Sequence, residues 1–365
     1  MKRASSIFLV LVLVLLSVAG CTPTEPPKPK EPAKPAEPTI AKIGLGHVTS
    51  IAKSADLTVG DDGTVKPPAA QVDTVFAGVA FDKDGKVLKV SVDTAQTKVA
   101  YDKDLQVASD LSIPGKTKVE LKEDYGMKKV STISKEWYEQ VAELEKWMVG
   151  KTVDEIKSMK VKERDASHPS VPAVPELTST VTITVQDYLA AVEEAYKSAV
   201  EVLEGAVKLG LGSDISTAKS RGYSQADGKE TLPQAEVNTT IAVSAFDKDG
   251  KVVRTIIDVA QTRVAFDKEG KVTSDKTAEI ESKVELGDKY GMRKVSTIEK
   301  EWFEQIVELE KWMEGKTVEE IKAMKAKERD ASHPSVPDVP ELTSTVTITV
   351  QDYIAAVAKS FGNAK

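Results

Sequence analysis

Glu176-Leu177-Thr178-Ser179-Thr180-Val181-Thr182-Ile183-Thr184-Val185-Gln186-Asp187-Tyr188 returns without a change as Glu341-Leu342-Thr343-Ser344-Thr345-Val346-Thr347-Ile348-Thr349-Val350-Gln351-Asp352-Tyr353. Around it, Lys118 to Val192 and Lys283 to Val357 agree at 61 of 75 positions, with an offset of 165 and no gap. Gly44-Leu45-Gly46 reappears as Gly210-Leu211-Gly212, so an insertion or deletion lies in the first part of the repeat. A period of about 165 residues is too long for a solenoid unit and long enough for each copy to bury a core. The 365-residue chain therefore reads as two globular domains, residues 40–205 and 206–365.

The first half of each copy reads as strands. Val72 to Phe81 and Val87 to Tyr101 are rich in Val, Ala, Thr and aromatics. Phe81-Asp82-Lys83-Asp84-Gly85-Lys86 between them predicts a hairpin turn, repeated as Phe246-Asp247-Lys248-Asp249-Gly250-Lys251. The Asp-x-Asp-Gly spacing resembles a calcium loop, but Val90 stands near where the bidentate Glu belongs. The second half reads as helices. Trp137, Val141, Leu144 and Met148 recur at i, i+4, i+7 and i+11, with Gly150 as the stop. Thr152 to Glu155 is a capping box that starts a short helix through Met159. Gly150-Lys151-Thr152 is not a phosphate-binding loop, because Glu145 occupies the first glycine position and the segment closes a helix. Val161 to Leu177, with its prolines, reads as extended surface chain. Thr184 and Asp187 read as an N-cap pair for a helix from Val185 to about Leu203. The expected fold class is α+β, two tandem copies of an antiparallel sheet packed by helices.

Composition narrows the function. Hydrophobic residues are 41 %, charged residues 29 % and aromatics 5 %, as in ordinary globular chains. Lys2 and Arg3 open the chain, Ile7 to Leu16 are ten apolar residues, and Val18-Ala19-Gly20-Cys21 follows. This resembles a bacterial lipobox, which makes residues 1–20 a lipoprotein signal peptide and Cys21 the lipidated first mature residue. Without residues 1–20, 48 Lys+Arg face 57 Asp+Glu, a formal charge of −9. Such a chain does not track a phosphate backbone, so no nucleic-acid partner is expected. Residues 21–39 hold seven prolines among Lys and Glu and read as an extended tether reaching ~55 Å. The body is expected to stand off the outer face of a membrane, at the cell surface or periplasmic face. One cysteine excludes a disulfide scaffold and multi-cysteine metal centres. His168 and His333 are one per copy, each read as a solvated or hydrogen-bonded loop residue, and no metal ligand set is expected. No nucleophile elbow or triad candidate appears, so a hydrolase is not expected.

The hydroxyls of Thr178, Ser179, Thr180 and Thr182 precede a helix N-terminus, where N–H groups and the helix dipole favour an anion. The other reading is a β-branched strand feeding that helix. Here the chain resembles the FMN-binding domain of the C subunit of sodium-pumping NADH:quinone oxidoreductase, of the Rnf complex G subunit and of surface lipoproteins. That motif carries an acidic residue, a Ser or Thr, then Gly, Ala and a Thr that receives FMN through its phosphate. The resemblance implies Glu176, Ser179 and Thr182 as cofactor-binding residues, with Glu341, Ser344 and Thr347 in the second copy. Here Thr180 and Thr345 replace the Gly, and Val181 and Val346 the Ala. It further implies FMN as cofactor, an electron-transfer module rather than an enzyme acting on a substrate, and a flavin transferase and redox proteins as partners. Tyr125-Gly126-Met127 and Tyr290-Gly291-Met292 offer either a ring-facing aromatic or a turn with core side chains, and Trp137 and Trp147 either stack on a ligand or fill the core. The alternative to the flavin carrier is a non-catalytic surface lipoprotein on a degenerate FMN-binding scaffold.

Overall fold

In each half, one helix lies directly on the backbone of a strand. The computed structural model describes residues 39–365, so the expected signal peptide and nearly all of the expected Pro-rich tether lie outside the described residues. Three long strands open the first half: β1 (Lys42–Ser50), β2 (Ala69–Phe81) and β3 (Val87–Ala100). The helices α1 (Lys118–Leu121), α2 (Trp137–Met148), α3 (Val153–Lys157) and α4 (Gln186–Lys197) follow. The second half repeats the order with β4 (Lys208–Ser216), β5 (Gln234–Phe246), β6 (Val252–Ala265), α5 (Lys283–Leu286), α6 (Trp302–Met313), α7 (Val318–Lys322) and α8 (Gln351–Gly362). Each central strand, β2 or β5, pairs antiparallel with both neighbours. The protein is α+β, as the sequence predicts.

The repeated Gly-Leu-Gly explains the helix placement. Alternate residues of a strand face opposite sides. A Cβ on Gly44 would overlap the carbonyl oxygen of Ala195, and one on Gly46 that of Ala191, both in α4. Gly210 and Gly212 meet Ser360 and Ala356 of α8 in the same way. Leu45 and Leu211 between them point away from the helix into a different core.

That core joins the two halves. Val75, Ala77, Val79 and Phe81 of β2 pack with Trp137, Leu144 and Val192 on the helix side. Phe76 and Ala80 turn the other way and meet Leu211, Ile241 and Val243 of the second half. The molecule is thus layered helices, sheet, sheet, helices, with a cluster between the sheets besides the one in each half. Equivalent residues meet there: Gly78 lies opposite Val243, and the rings of Tyr101 and Phe266 approach to 5.1 Å. The backbone contacts are reciprocal too. Leu57 N–H donates to the Gly270 carbonyl at 2.9 Å, and Tyr223 N–H to the Leu105 carbonyl at 2.9 Å.

The Asp82 turn is a hairpin loop, its carboxylate accepting from the N–H groups of Asp84 and Lys86, with Gly85 at φ 77°. Three expectations are corrected. Helix α4 ends at Lys197, not near Leu203. Ser198 Oγ donates to the Leu45 carbonyl at 2.6 Å, and Val200–Glu201 then adds to the edge of β1. Thr184 does not cap α4. Val181, Ile183 and Val185 enter the core, so Thr184 turns the other way and its buried hydroxyl has no partner. Thr178 to Thr182 is not a strand either, since Thr178 and Val181 donate to the Val174 and Leu177 carbonyls in tight turns.

Gly44→Ala and Gly210→Ala each force a helix off its sheet and are expected to lower stability by ~1–3 kcal/mol, read from urea unfolding. Glu310 of α6 is buried, accepts from Ile257 N–H at 2.7 Å, and burial raises its carboxyl to about 8. The folded state holds this proton while the unfolded chain releases it, so stability falls as pH rises from about 4.5 to about 8. Glu310→Gln keeps the acceptor and removes this fall. It is expected to match the parent near pH 4.5 and exceed it at pH 8, measured by denaturation at both.

Candidate functional site

A cleft of about 530 Å³ opens in the second half between the sheet, the start of α6 and the start of α8. Lys283, Tyr290, Trp302 and Thr349 converge on it. Each is held by a polar device that the sequence places locally. Ser282 caps α5 in a capping box with Glu285, and its hydroxyl donates to Asp258 Oδ2 at 2.6 Å. Asp258 Oδ1 accepts from the Val259 and Val284 N–H groups. This buried carboxylate therefore fastens α5 to β6 and fixes Lys283 beside the sheet. Burial raises its pKa, and Asp93, its counterpart in the first half, is pushed up to about 7.

Tyr290-Gly291-Met292 is a pair of single turns joined at Gly291, whose φ of 78° suits glycine. Glu301 is buried and accepts from Met292 and Arg293 N–H, pinning that turn to the start of α6. The next residue, Trp302, donates its indole N–H to Tyr353 Oη at 2.9 Å, joining α6 to α8. Lys283 Nζ then lies 5.1 Å from the centre of the Tyr290 ring and 5.2 Å from that of Trp302. No hydrogen bond or carboxylate partner to this amine is present among the described residues. Lys118 stands the same way over Tyr125 and Trp137, at 4.8 and 5.3 Å. Burial lowers both lysines to about 8. Thr349 contributes a buried hydroxyl without a partner. On the rim, His333 Nδ1 bonds Asp330 at 2.8 Å, and with Arg329 it holds that carboxyl down at about 2.

The residues expected from the sequence do not gather in this cleft. Glu176, Ser179, Glu341 and Ser344 are exposed on the turns before it. Thr182 and Thr347 are half-buried, and each bonds through N–H and hydroxyl to the side-chain oxygen of a fully buried glutamine, Gln140 or Gln305. The immediate neighbours of Thr347, Ile348 and Thr349, do line the cleft. Thr180 and Thr345 lie outside the left-handed region, so these positions do not demand glycine here. Lys118 and Lys283 were not singled out by sequence reasoning. The available signal was a lysine at the first position of a capped helix, where the helix dipole disfavours a cation.

An ammonium over two rings, an unpaired hydroxyl and apolar walls suit a planar ligand with anionic character. A phosphoester at Thr347 requires its hydroxyl to leave Gln305. Among the described residues, no group of three or more His, Cys, Asp and Glu could hold a metal, and no helix is long and apolar enough to cross a membrane. Compared with known proteins, the chain matches no family model, no curated protein and no solved structure.

The pair of buried amines has a direct test. In a 13C-methyl-lysine NMR titration, two resonances are expected to titrate near 8, well below the ordinary value of 10.5. They should vanish in Lys118→Met and Lys283→Met, one in each. Uniform titration above 10 would show that the amines are hydrated.

Proposed function

We propose that the chain is a lipid-anchored extracytoplasmic protein with a flavin site in each repeat, and that FMN is the ligand. The observation that carries this reading is the cleft in which Lys283, Tyr290 and Trp302 converge beside the Thr347 segment. Lys2, Arg3, the apolar run Ile7 to Leu16 and Cys21 support export and lipidation. When bound, FMN supplies one- and two-electron redox chemistry. The protein's part is to hold the ring by stacking, to bias its charge through Lys118 and Lys283, and to keep water from one face. Two such sites on one tethered chain make a short relay between a membrane donor and an external acceptor.

A second reading is a scaffold whose flavin chemistry is lost. It is favoured by the Thr182–Gln140 and Thr347–Gln305 bonds, which occupy the hydroxyls that the phosphoester would use. Intact mass separates the two. Co-expressed with a flavin transferase, the mature chain is expected to be yellow and to gain one or two FMN increments if attachment is covalent. Thr182→Ala and Thr347→Ala should then each remove one increment. Yellow protein that loses its colour on denaturation assigns non-covalent binding. A colourless, folded chain that takes up no added FMN overturns the flavin reading.

A further inference from the structure

We infer that the two repeats are unequal, and that the second holds the stronger site for an anion at its cleft because one acidic residue has moved and released Lys219. The ligand's identity rests on the flavin reading above. The inequality rests on the geometry alone.

In the first repeat, Lys53 Nζ is bound to Asp73 at 2.8 Å, and Gln71 donates to the same carboxylate. In the second repeat the acid stands two residues earlier. Glu236 replaces Gln71 and Asn238 replaces Asp73, on the same strand face. Glu236 is drawn away to Arg263 Nε at 2.8 Å and also accepts from Asn238 and Gln261. Lys219, the counterpart of Lys53, lines the cleft and has no carboxylate within ion-pair distance among the described residues. Asn238 keeps a buried side-chain oxygen without a partner.

The remaining charges match except at Asp214, which stands where the first repeat has Val48 and lies 4.0 Å from Lys359. Asp352 and Asp187 stand at equivalent helix starts, and Asp258 and Asp93 are taken up by backbone N–H groups. The balance is visible at the buried amines. Lys219 acts on Lys283 against Asp258, Glu236 and Asp352, much as Lys53 acts on Lys118 against Asp73 and Asp93. The difference lies in the pairing: outside ion pairs the second cleft presents two lysines, Lys219 and Lys283, and the same surface of the first repeat presents one, Lys118.

The test titrates FMN and riboflavin into the full mature chain, into Asp73→Asn and into Asn238→Asp. Each substitution installs the residue that the other repeat already carries, so folding is expected to persist. FMN is expected to show one tighter and one weaker site, differing about tenfold at low salt and less at high salt. Riboflavin, lacking the phosphate, should show two similar sites. Asp73→Asn should raise the weak site toward the strong one, and Asn238→Asp should lower the strong one by about tenfold. Two equal FMN sites that neither substitution moves overturn the inference while leaving the flavin reading intact. If neither flavin binds, the flavin reading falls and inorganic pyrophosphate decides the inference through backbone amide shifts. Ser216 to Lys219 should move before Ser50 to Lys53. Equal movement, or none, overturns it.

Discussion

The contact between a glycine-bearing strand and a helix backbone governs the rest of the architecture. With no Cβ at Gly44 and Gly46, α4 settles onto β1 closely enough that Ala191 and Ala195 touch the strand itself. That approach commits one strand face to the helix and sends Leu45 to the opposite face. It also fixes where α4 begins, and thus where Thr184 and Asp187 stand. The second half repeats this with Gly210, Gly212 and α8. Packing at this density leaves little room for adjustment, so the cleft beside the helix start inherits its shape from two glycines on the same face of the sheet.

Buried carboxylates do the corresponding work for the polar segments. Asp93 and Asp258 hold short helices to the sheet, Glu136 and Glu301 hold the Tyr-Gly-Met turns, and Glu145 and Glu310 accept from strand N–H groups. Each satisfies backbone donors that would otherwise be buried without acceptors. Their cost is electrostatic, visible in the raised pKa values of Asp93 and Glu310. The lysines at the cleft stand among these carboxylates without pairing to them. The carboxylates that fasten the fold are thus also the ones that surround these lysines.

The strands, the Asp-x-Asp-Gly hairpins, the Trp137 helix and the Thr152 capping box were legible because local periodicity and turn chemistry specify them. The core between the sheets was less plain. Its signal is Val75 to Phe81, a run without a polar residue, which marks a strand buried on both faces, but such a run does not say what covers the second face. The end of α4 was misplaced because the pairing of Val200 and Glu201 with β1 is a long-range event that no local pattern encodes. At the site, Tyr290-Gly291-Met292 reads from sequence as either a ring-facing aromatic or a turn with core side chains, and it is a turn whose Tyr290 and Met292 pack against the core and line the cleft. Glu176 and Ser179 were chosen by motif spacing, and spacing does not reveal that the chain turns them to solvent. Lys283 was passed over because a lysine ordinarily reads as solvated.

The reciprocal contacts between the halves carry a historical meaning. Tyr101 meets Phe266, Gly78 faces Val243, and the Leu57–Gly270 bond is answered by Leu105–Tyr223. Residues that touch their own counterparts are the mark of a twofold axis, the geometry by which two identical subunits bind one another. The present chain is thus built as a symmetric dimer whose subunits have been joined into one polypeptide. Once joined, the two halves no longer had to share a sequence, and the exchange of an acid between positions 73 and 236 is the kind of asymmetry that no homodimer can acquire.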